Sequence, residues 1–271
     1  MPELPEVETT RRGIEPATVG RTIVDVTVRE PRLRWPLPPD FGANLIGQHV
    51  ATVGRRAKYL LLGLERGTVI LHLGMSGSLR VLPAATPALK HDHVDLVLDS
   101  GQCLRFNDPR RFGSLHFTPD DPLQHPLLRH LAPEPLDADF DGDYLATVAR
   151  GRAVAIKQFL MNGLVVVGVG NIYANEALFR AGIHPKRAAG RVSSLRLARL
   201  SEAIKDVLGD AIRAGGTTLR DYVNAAGTPG YFRQRLYVYE RTGEPCRLCR
   251  SPIRHCVQGQ RSTYYCPACQ R

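Results

Sequence analysis

No stretch of this 271-residue chain approaches the roughly 18 to 20 consecutive apolar residues that a helical membrane span requires. The N-terminus lacks the basic-then-apolar pattern of a secretory signal, so the expected location is the cytoplasm, with no membrane partner. There is no long-period repeat and no low-complexity tract. Negative charge is also scarce. Asp and Glu together number 26 against 36 Lys plus Arg, which gives a net charge of +10 and a pI near 9.6. A balance this basic suits a polyanion, nucleic acid being the commonest. Arginine-rich base composition produces the same excess, so the placement of the charges has to decide.

The length allows two domains of ordinary size or one large one. After a first helix read over 5–15, with Pro5 and Glu6 suited to its first turn, come "TIVDVTVRE", "KYLLLGLERGTVILHLGMSGSLRVL" and "HVDLVLDSGQCLRF". Their short β-branched or alternating runs predict an antiparallel sandwich, with a hairpin turn at Asp99–Gly101. From Leu131, "LAPEPLDADFDGD" reads as a linker. Beyond it the period becomes helical in "GDYLATVAR", "AVAIKQFLMN", "NIYANEALFRAG" and "SSLRLARLSEAIKDVLGDAIRAGG". In the last of these Leu197, Leu200, Ile204, Val207, Leu208, Ala211 and Ile212 share one face, and Gly215 and Gly216 close it. The expected class is therefore α+β and multi-domain.

Cys246, Cys249, Cys266 and Cys269 form two C-x2-C pairs separated by sixteen residues, a spacing suited to one tetrahedral zinc held by two knuckles. Four thiolates leave no open coordination position, so the metal is expected to be structural. Between the knuckles "RSPIRHCVQGQRSTYY" reads as a hairpin with Arg261 near its turn. Cys103 and Cys256 are read as spare thiols. Upstream, "MNGLVVVGVGNIYANE" places two glycines and Asn171 before a helix. Such a helix start can receive a phosphate, or Asn171 can simply cap a tight turn.

The strings "PELPEVET", "RRAKYLLL", "HLGMSGSLR", "KHDHVDL", "DPRRFG", "VGVGNIYANEALF" and "GGTTLRDY", followed by the cysteine pairs, occur in one order from Pro2 to Cys269. In this the chain resembles the bacterial formamidopyrimidine-DNA glycosylases. The related endonuclease VIII group usually opens with Pro-Glu-Gly-Pro, so "PELP" points to the branch acting on purine lesions. The resemblance implies an N-terminal β-sandwich with an N-terminal helix over 1–130, a linker at 131–142, and a helix-two-turns-helix domain over 143–236. A lesion loop would lie at about 217–230, and a zinc-finger β-hairpin over 237–271. It also implies a bifunctional base-excision glycosylase and abasic-site lyase. The partner would be double-stranded DNA carrying oxidised bases or abasic sites, met by a monomer with one zinc ion, in the bacterial cytoplasm and at the nucleoid when acting.

The family removes its initiator methionine, which implies that Pro2 carries a free secondary amine as nucleophile, with Glu3 moving protons. Lys58 would donate a proton and steer the lesion strand, and Arg261 would contact phosphate and assist the last elimination. Met75, Arg110 and Phe112 match the residues that fill the hole left by the extruded base. His91, Arg152, Lys157 and Asn171 match phosphate contacts, with Gly168 and Gly170 allowing close approach, and Arg220 lies in the lesion loop. One departure stands out: where the family has Met-Asp, this chain has Met161-Asn162 before Gly163, a pair able to end a helix in the left-handed region. Three other readings are weighed: an endonuclease VIII-like enzyme for oxidised pyrimidines; a non-catalytic damaged-DNA binding protein, which would need neither Pro2, Glu3 nor Lys58; and a protein-binding zinc ribbon, which explains the tail but not the rest of the chain.

Overall fold

The computed structural model describes residues 2–217 and 236–271. The chain divides into two compact units, Met1–His130 with Ala214–Tyr231, and Leu131–Arg213 with Phe232–Arg271. The first opens with helix α1 (Leu4–Thr18), one residue longer at its start and three at its end than the 5–15 expected from the sequence. Two local devices lengthen it. The Glu6 carboxylate accepts the Glu3 N–H at 2.9 Å, half of a capping box that satisfies an N-terminal donor. Near the far end Thr18 Oγ1 donates back to the Ile14 carbonyl at 2.7 Å. Pro16 is accommodated because the Arg12 carbonyl it leaves without a helical donor belongs to an exposed residue.

Two four-stranded antiparallel sheets follow, ordered β2-β3-β4-β8 and β1-β6-β7-β5. The first contains β2 (Val50–Arg56), β3 (Tyr59–Leu64), β4 (Gly67–His72) and β8 (Ser114–Thr118). The second contains β1 (Ile23–Val28), β5 (Ser78–Pro83), β6 (Asp92–Leu98) and β7 (Gln102–Asn107). Alternation along β3 buries Leu60, Leu62 and Leu64. These join Val69, Leu71, Val94, Leu96, Leu104 and Phe106, with Val7 and Ile14 of α1, in one apolar core. Asp99–Gly101 forms the β6–β7 turn with Gly101 at φ +78°, as its sequence predicts. A short helix α2 (Phe41–Leu45) completes the unit.

The second unit contains α3 (Gly142–Ala149), α4 (Ile156–Leu160), α5 (Asn171–Arg180), α6 (Ser194–Arg213) and the hairpin β9 (Arg254–Gln258) and β10 (Arg261–Tyr265). Asp141 caps α3 by accepting the Tyr144 N–H at 2.8 Å. α3 lies directly on α6: a Cβ at Gly142 would sit 2.5 Å from the Ala198 backbone. α6 buries the apolar face expected of it, Ile212 remaining half-exposed, and Gly215 and Gly216 follow with positive φ. Neither Asn162 nor Gly163 adopts the left-handed conformation expected for them. α4 stops at Leu160, and the Asn162 side-chain oxygen turns the chain instead by accepting the Leu164 N–H at 3.0 Å. An amide oxygen does this as a carboxylate would. Among the described residues, no helix is long and apolar enough to cross a membrane.

Candidate functional site

Pro2 and Glu3 are buried immediately ahead of α1, where Glu6 holds the backbone of Glu3 through one carboxylate oxygen. The other oxygen accepts the Thr217 N–H at 2.8 Å. One acidic side chain thus fixes the chain's start and the entry to the segment from 218 to 235. Arg220 and most of the stretch expected to form a lesion loop lie in that segment, outside the described residues.

Two residues further along α1, Glu8 accepts Arg12 Nε at 2.7 Å and Arg55 Nε at 3.2 Å. Burial pushes the Glu8 carboxyl up, but the guanidinium groups of Arg11, Arg12 and Arg55 outweigh it and leave the carboxyl below its ordinary value. Arg55 Nη1 reaches on to the Ala57 carbonyl at 2.9 Å. Ala57 and Lys58 are the two-residue turn between β2 and β3, and Ala57 sits at φ +55°, uncommon for a residue with a Cβ. The chain from Glu8 through Arg55 to Ala57 therefore braces the Lys58 turn against α1.

His72, at the end of β4, is a functional candidate that the sequence reading missed. Its pKa is lowered to about 4, first by desolvation and then by the charges of Lys58 and Arg34. The Gly74 N–H donates to its Nδ1 at 3.0 Å, so the ring is neutral and carries its proton on Nε2. It presents a donor without a charge.

Met75, Arg110 and Phe112 come from two loops that the fold presses together. Met75 lies in the turn closed by Gly77 N–H to the Leu73 carbonyl at 2.9 Å. Arg110 and Phe112 follow β7, separated by Arg111 at φ +55°, and the Arg110 guanidinium stacks 4.8 Å over the Phe112 ring. Phe112 is 41% exposed, its ring available at the surface beneath the Arg110 guanidinium. His91, at φ +73°, leads into β6. The loop before it is fastened by Arg105 Nη1 to the Pro87 carbonyl at 3.2 Å and by Leu89 N–H to Asp92 at 2.8 Å.

In the second unit the zinc hairpin is held by residues expected at phosphate. Lys157 lies inward at 1% exposure and donates from Nζ to the Ser262 carbonyl and to Thr263 Oγ1, both at 2.8 Å. Asn171 does not cap α5, where Gly170 is the N-cap; its Nδ2 donates to the same Ser262 carbonyl at 3.0 Å. Asn175 accepts the Tyr264 N–H at 2.8 Å. Gly168 supplies a φ of +78° in the loop before α5. The hairpin turn is Gly259-Gln260, both at positive φ, as a two-residue turn of matching twist requires. Arg261 leaves it exposed, next to the doubly held Ser262. Arg152 is exposed after α3. The structure thus gathers Met75, Arg110 and Phe112 in one unit, and Lys157, Asn171 and the Arg261 hairpin in the other.

Cys246, Cys249, Cys266 and Cys269 place their Sγ atoms within 4.8 Å of one another, with two pairs at 3.9 and 3.4 Å. Tetrahedral zinc with bonds of about 2.3 Å sets its sulfurs about 3.8 Å apart, so the four thiolates fit that ion. The Leu248 N–H donates to Cys246 Sγ, and the Cys269 N–H to Cys266 Sγ, fixing each knuckle. Glu176 on α5, buried and missed by the sequence reading, accepts the N–H groups of Tyr237, Val238 and Tyr239 at 2.8 to 2.9 Å. Burial raises its pKa against those three bonds. It anchors the segment leading into the metal site.

Three family models match the chain: "Formamidopyrimidine-DNA glycosylase N-terminal domain" at residues 1–115, "Formamidopyrimidine-DNA glycosylase H2TH domain" at 131–223, and "Zinc finger found in FPG and IleRS" at 243–271. A formamidopyrimidine-DNA glycosylase of Methylococcus capsulatus is 60% identical over 271 residues, covering the whole of both chains. A Lactococcus lactis FPG variant, solved in complex with DNA containing Fapy-dG, superposes with a TM-score of 0.93 at 33% identity and full coverage of both chains. The Lactococcus lactis Fpg complex with DNA containing an abasic site gives 0.91 at 32% identity, with 99% of each chain covered.

Proposed function

The chain belongs to the formamidopyrimidine-DNA glycosylase family, and from that premise we propose that Pro2 is the nucleophile with which it excises oxidised purines and then cuts the abasic strand. It is a base-excision-repair DNA glycosylase and abasic-site lyase with one structural zinc ion, held by the four cysteines. Its substrates are 8-oxoguanine opposite cytosine and formamidopyrimidines in duplex DNA, and it works in the bacterial cytoplasm, on the nucleoid.

The observation that carries this reading is the position of Pro2, one residue ahead of the capped start of α1. Once Met1 is removed, its nitrogen is a secondary amine with a pKa near 8, about two units below a lysine, so a useful fraction is neutral at working pH. The amine attacks C1′ of the damaged nucleoside. The C1′–base bond breaks with its electron pair, and the base leaves with a proton. Glu3 protonates the sugar ring oxygen as the ring opens, giving an iminium between Pro2 and C1′. This electron sink acidifies the C2′ hydrogen. Loss of that proton expels the 3′ phosphate, a second elimination expels the 5′ phosphate, and hydrolysis frees Pro2. Lys58 supplies a proton and steers the strand, on a turn braced to α1 through Arg55 and Glu8.

Extruding a base costs a few kcal/mol, and the vacated space needs an occupant. Met75 and Phe112 wedge the stack while Arg110 hydrogen-bonds the widowed cytosine. His91, Arg152 and Arg261 meet phosphates directly. Lys157 and Asn171 serve the same backbone through the hairpin they hold, and Gly168 and Gly170 let the strand come close. Arg220 and its neighbours over 219–229 are assigned to the lesion itself.

Borohydride tests the central step. Added during turnover of an 8-oxoguanine duplex, it should reduce the iminium and leave a covalent adduct whose DNA-bearing peptide begins at Pro2. Absence of an adduct, with the N-terminus shown by mass spectrometry to start at Pro2, removes the scheme. A panel that includes an oxidised pyrimidine opposes the endonuclease VIII-like specificity in the same experiment.

A further inference from the structure

Asp108 is fully buried, and its carboxylate has no ion partner among the contacts the structure places on it. Isolated buried charge is costly unless hydrogen bonds satisfy it. Here they do, and they come from two directions. Oδ1 accepts the Ser76 hydroxyl at 2.7 Å and the Arg110 N–H at 3.3 Å, while Oδ2 accepts the Gly113 N–H at 2.7 Å. Ser76 Oγ itself accepts the Arg110 N–H at 3.3 Å. The main chain of Asp108 is held as well: its N–H donates to the His91 carbonyl at 3.1 Å, and its carbonyl meets the Arg111 N–H at 3.2 Å and His93 Nε2 at 2.8 Å.

We infer that Asp108 is a positioning residue that locks the two loops carrying Met75, Arg110 and Phe112 into one preformed wedge. The inference rests on the hole-filling reading of those three side chains. Ser76 is the neighbour of Met75, and Gly113 and Arg110 flank the Phe112 segment, so one carboxylate grips both loops directly beneath the side chains that enter the stack. The glycines show how tight the junction is. A Cβ at Gly74 would sit 2.4 Å from the Gly113 nitrogen, and one at Gly113 would sit 2.5 Å from the Phe106 ring.

Preorganisation is what such a grip provides. Two independent loops entering a DNA stack each lose conformational freedom on binding, whereas loops fastened in advance do not. The charged acceptor matters because bonds to an ionised oxygen are about twice as strong as neutral ones. The bond to the His91 carbonyl sets a phosphate-contacting residue in the same frame.

The test compares two substrates: a duplex with 8-oxoguanine opposite cytosine, and a single-stranded oligonucleotide with a preformed abasic site, which has no opposite strand and no hole to fill. The readout is the ratio of their kcat/KM values. Asp108→Ala should lower this ratio about tenfold, as expected for losing bonds to a charged group. Ser76→Ala removes the two cross-loop bonds of its hydroxyl, to Asp108 and from the Arg110 N–H, while leaving the carboxylate in place, and should lower it about threefold, which keeps the test decisive if Asp108→Ala fails to fold. An unchanged ratio in Ser76→Ala, together with an unchanged ratio in any folded Asp108 variant, overturns the inference. Phe112→Ala separates the two levels of the argument. If it lowers the ratio while the Ser76 and Asp108 variants do not, only the locking role is wrong; if it too leaves the ratio unchanged, the hole-filling reading falls and the inference with it.

Discussion

The sandwich and the zinc hairpin hold the side chains proposed to meet DNA by opposite means. Lys58, Met75 and Phe112 stand on turns of two sheets that share one apolar core, from Val7 on α1 to Leu115 on β8. Arg261 stands on a two-stranded hairpin whose apolar cluster is small: Phe179, Val238, Cys246, Ile253 and Cys266, two of them metal ligands. A hairpin of two strands is marginal by itself. Thiolate coordination and the bonds from Lys157, Asn171 and Glu176 replace the core it lacks. The contrast teaches that this molecule places equal demands for rigidity on unequal amounts of buried surface.

Stripping the metal should break the comparison most sharply. Structural zinc contributes on the order of 10 kcal/mol or more to folding of such modules. Chelation under reducing conditions is expected to remove amide protection from β9 and β10 and to abolish lesion excision, while amides of β3 and β4 keep their protection in hydrogen exchange. Simultaneous loss in the sandwich would show that the two regions do not fold independently. Core truncation is the converse. Leu71→Ala removes a fully buried side chain and should cost about 2 to 5 kcal/mol. Urea unfolding should shift to a lower midpoint, with zinc content unchanged at one ion per chain. Loss of zinc at the same urea concentration as the sandwich melts would erase the distinction.

Legibility followed the same divide. The thiolate spacing could be read at once, because four ligands in two short knuckles are a local pattern. So were β3, β4, β6 and β7, whose apolar residues repeat with the pleat, and the long apolar face of α6. β2 and β8 went unread: β2 ends in Gly54-Arg55-Arg56, which breaks the alternation, and β8 carries His116 among its few residues. The left-handed helix end expected at Asn162-Gly163 failed because a side-chain bond within the turn supplied the change of direction. Long-range pairings were illegible by nature. Nothing in spacing joins Asp108 to Ser76, 32 residues away, or Lys157 to Thr263, 106 residues away. The ordered strings identified the family, and only the fold shows that Lys157 and Asn171 bond to a hairpin.

The smallest expected effect is the part of the pH dependence of stability that His72 gives the sandwich. His72 has a folded-state pKa of about 4, depressed by burial and then by Lys58 and Arg34, against about 6.5 when unfolded. Above pH 6.5 both states hold it neutral, and the folded state keeps its full stability. As pH falls from 6.5 toward 4, the unfolded chain takes up a proton that the folded chain refuses, so stability declines through that window and the loss is complete below the folded value. His116 and His125 shift in the same direction, each chiefly through desolvation, and add to the slope. The carboxylates Glu8 and Asp95, whose values are lowered, act below their ordinary range and leave most of the window to the imidazoles. His72→Asn retains a side-chain acceptor for the Gly74 N–H while removing the titration. Urea midpoints of this variant at pH 7 and pH 5 should differ less than those of the parent chain. An equal drop in both proteins would mean that His72 titrates normally in the folded sandwich, and that its neutral Nε2 donor beside Lys58 is not maintained by the fold.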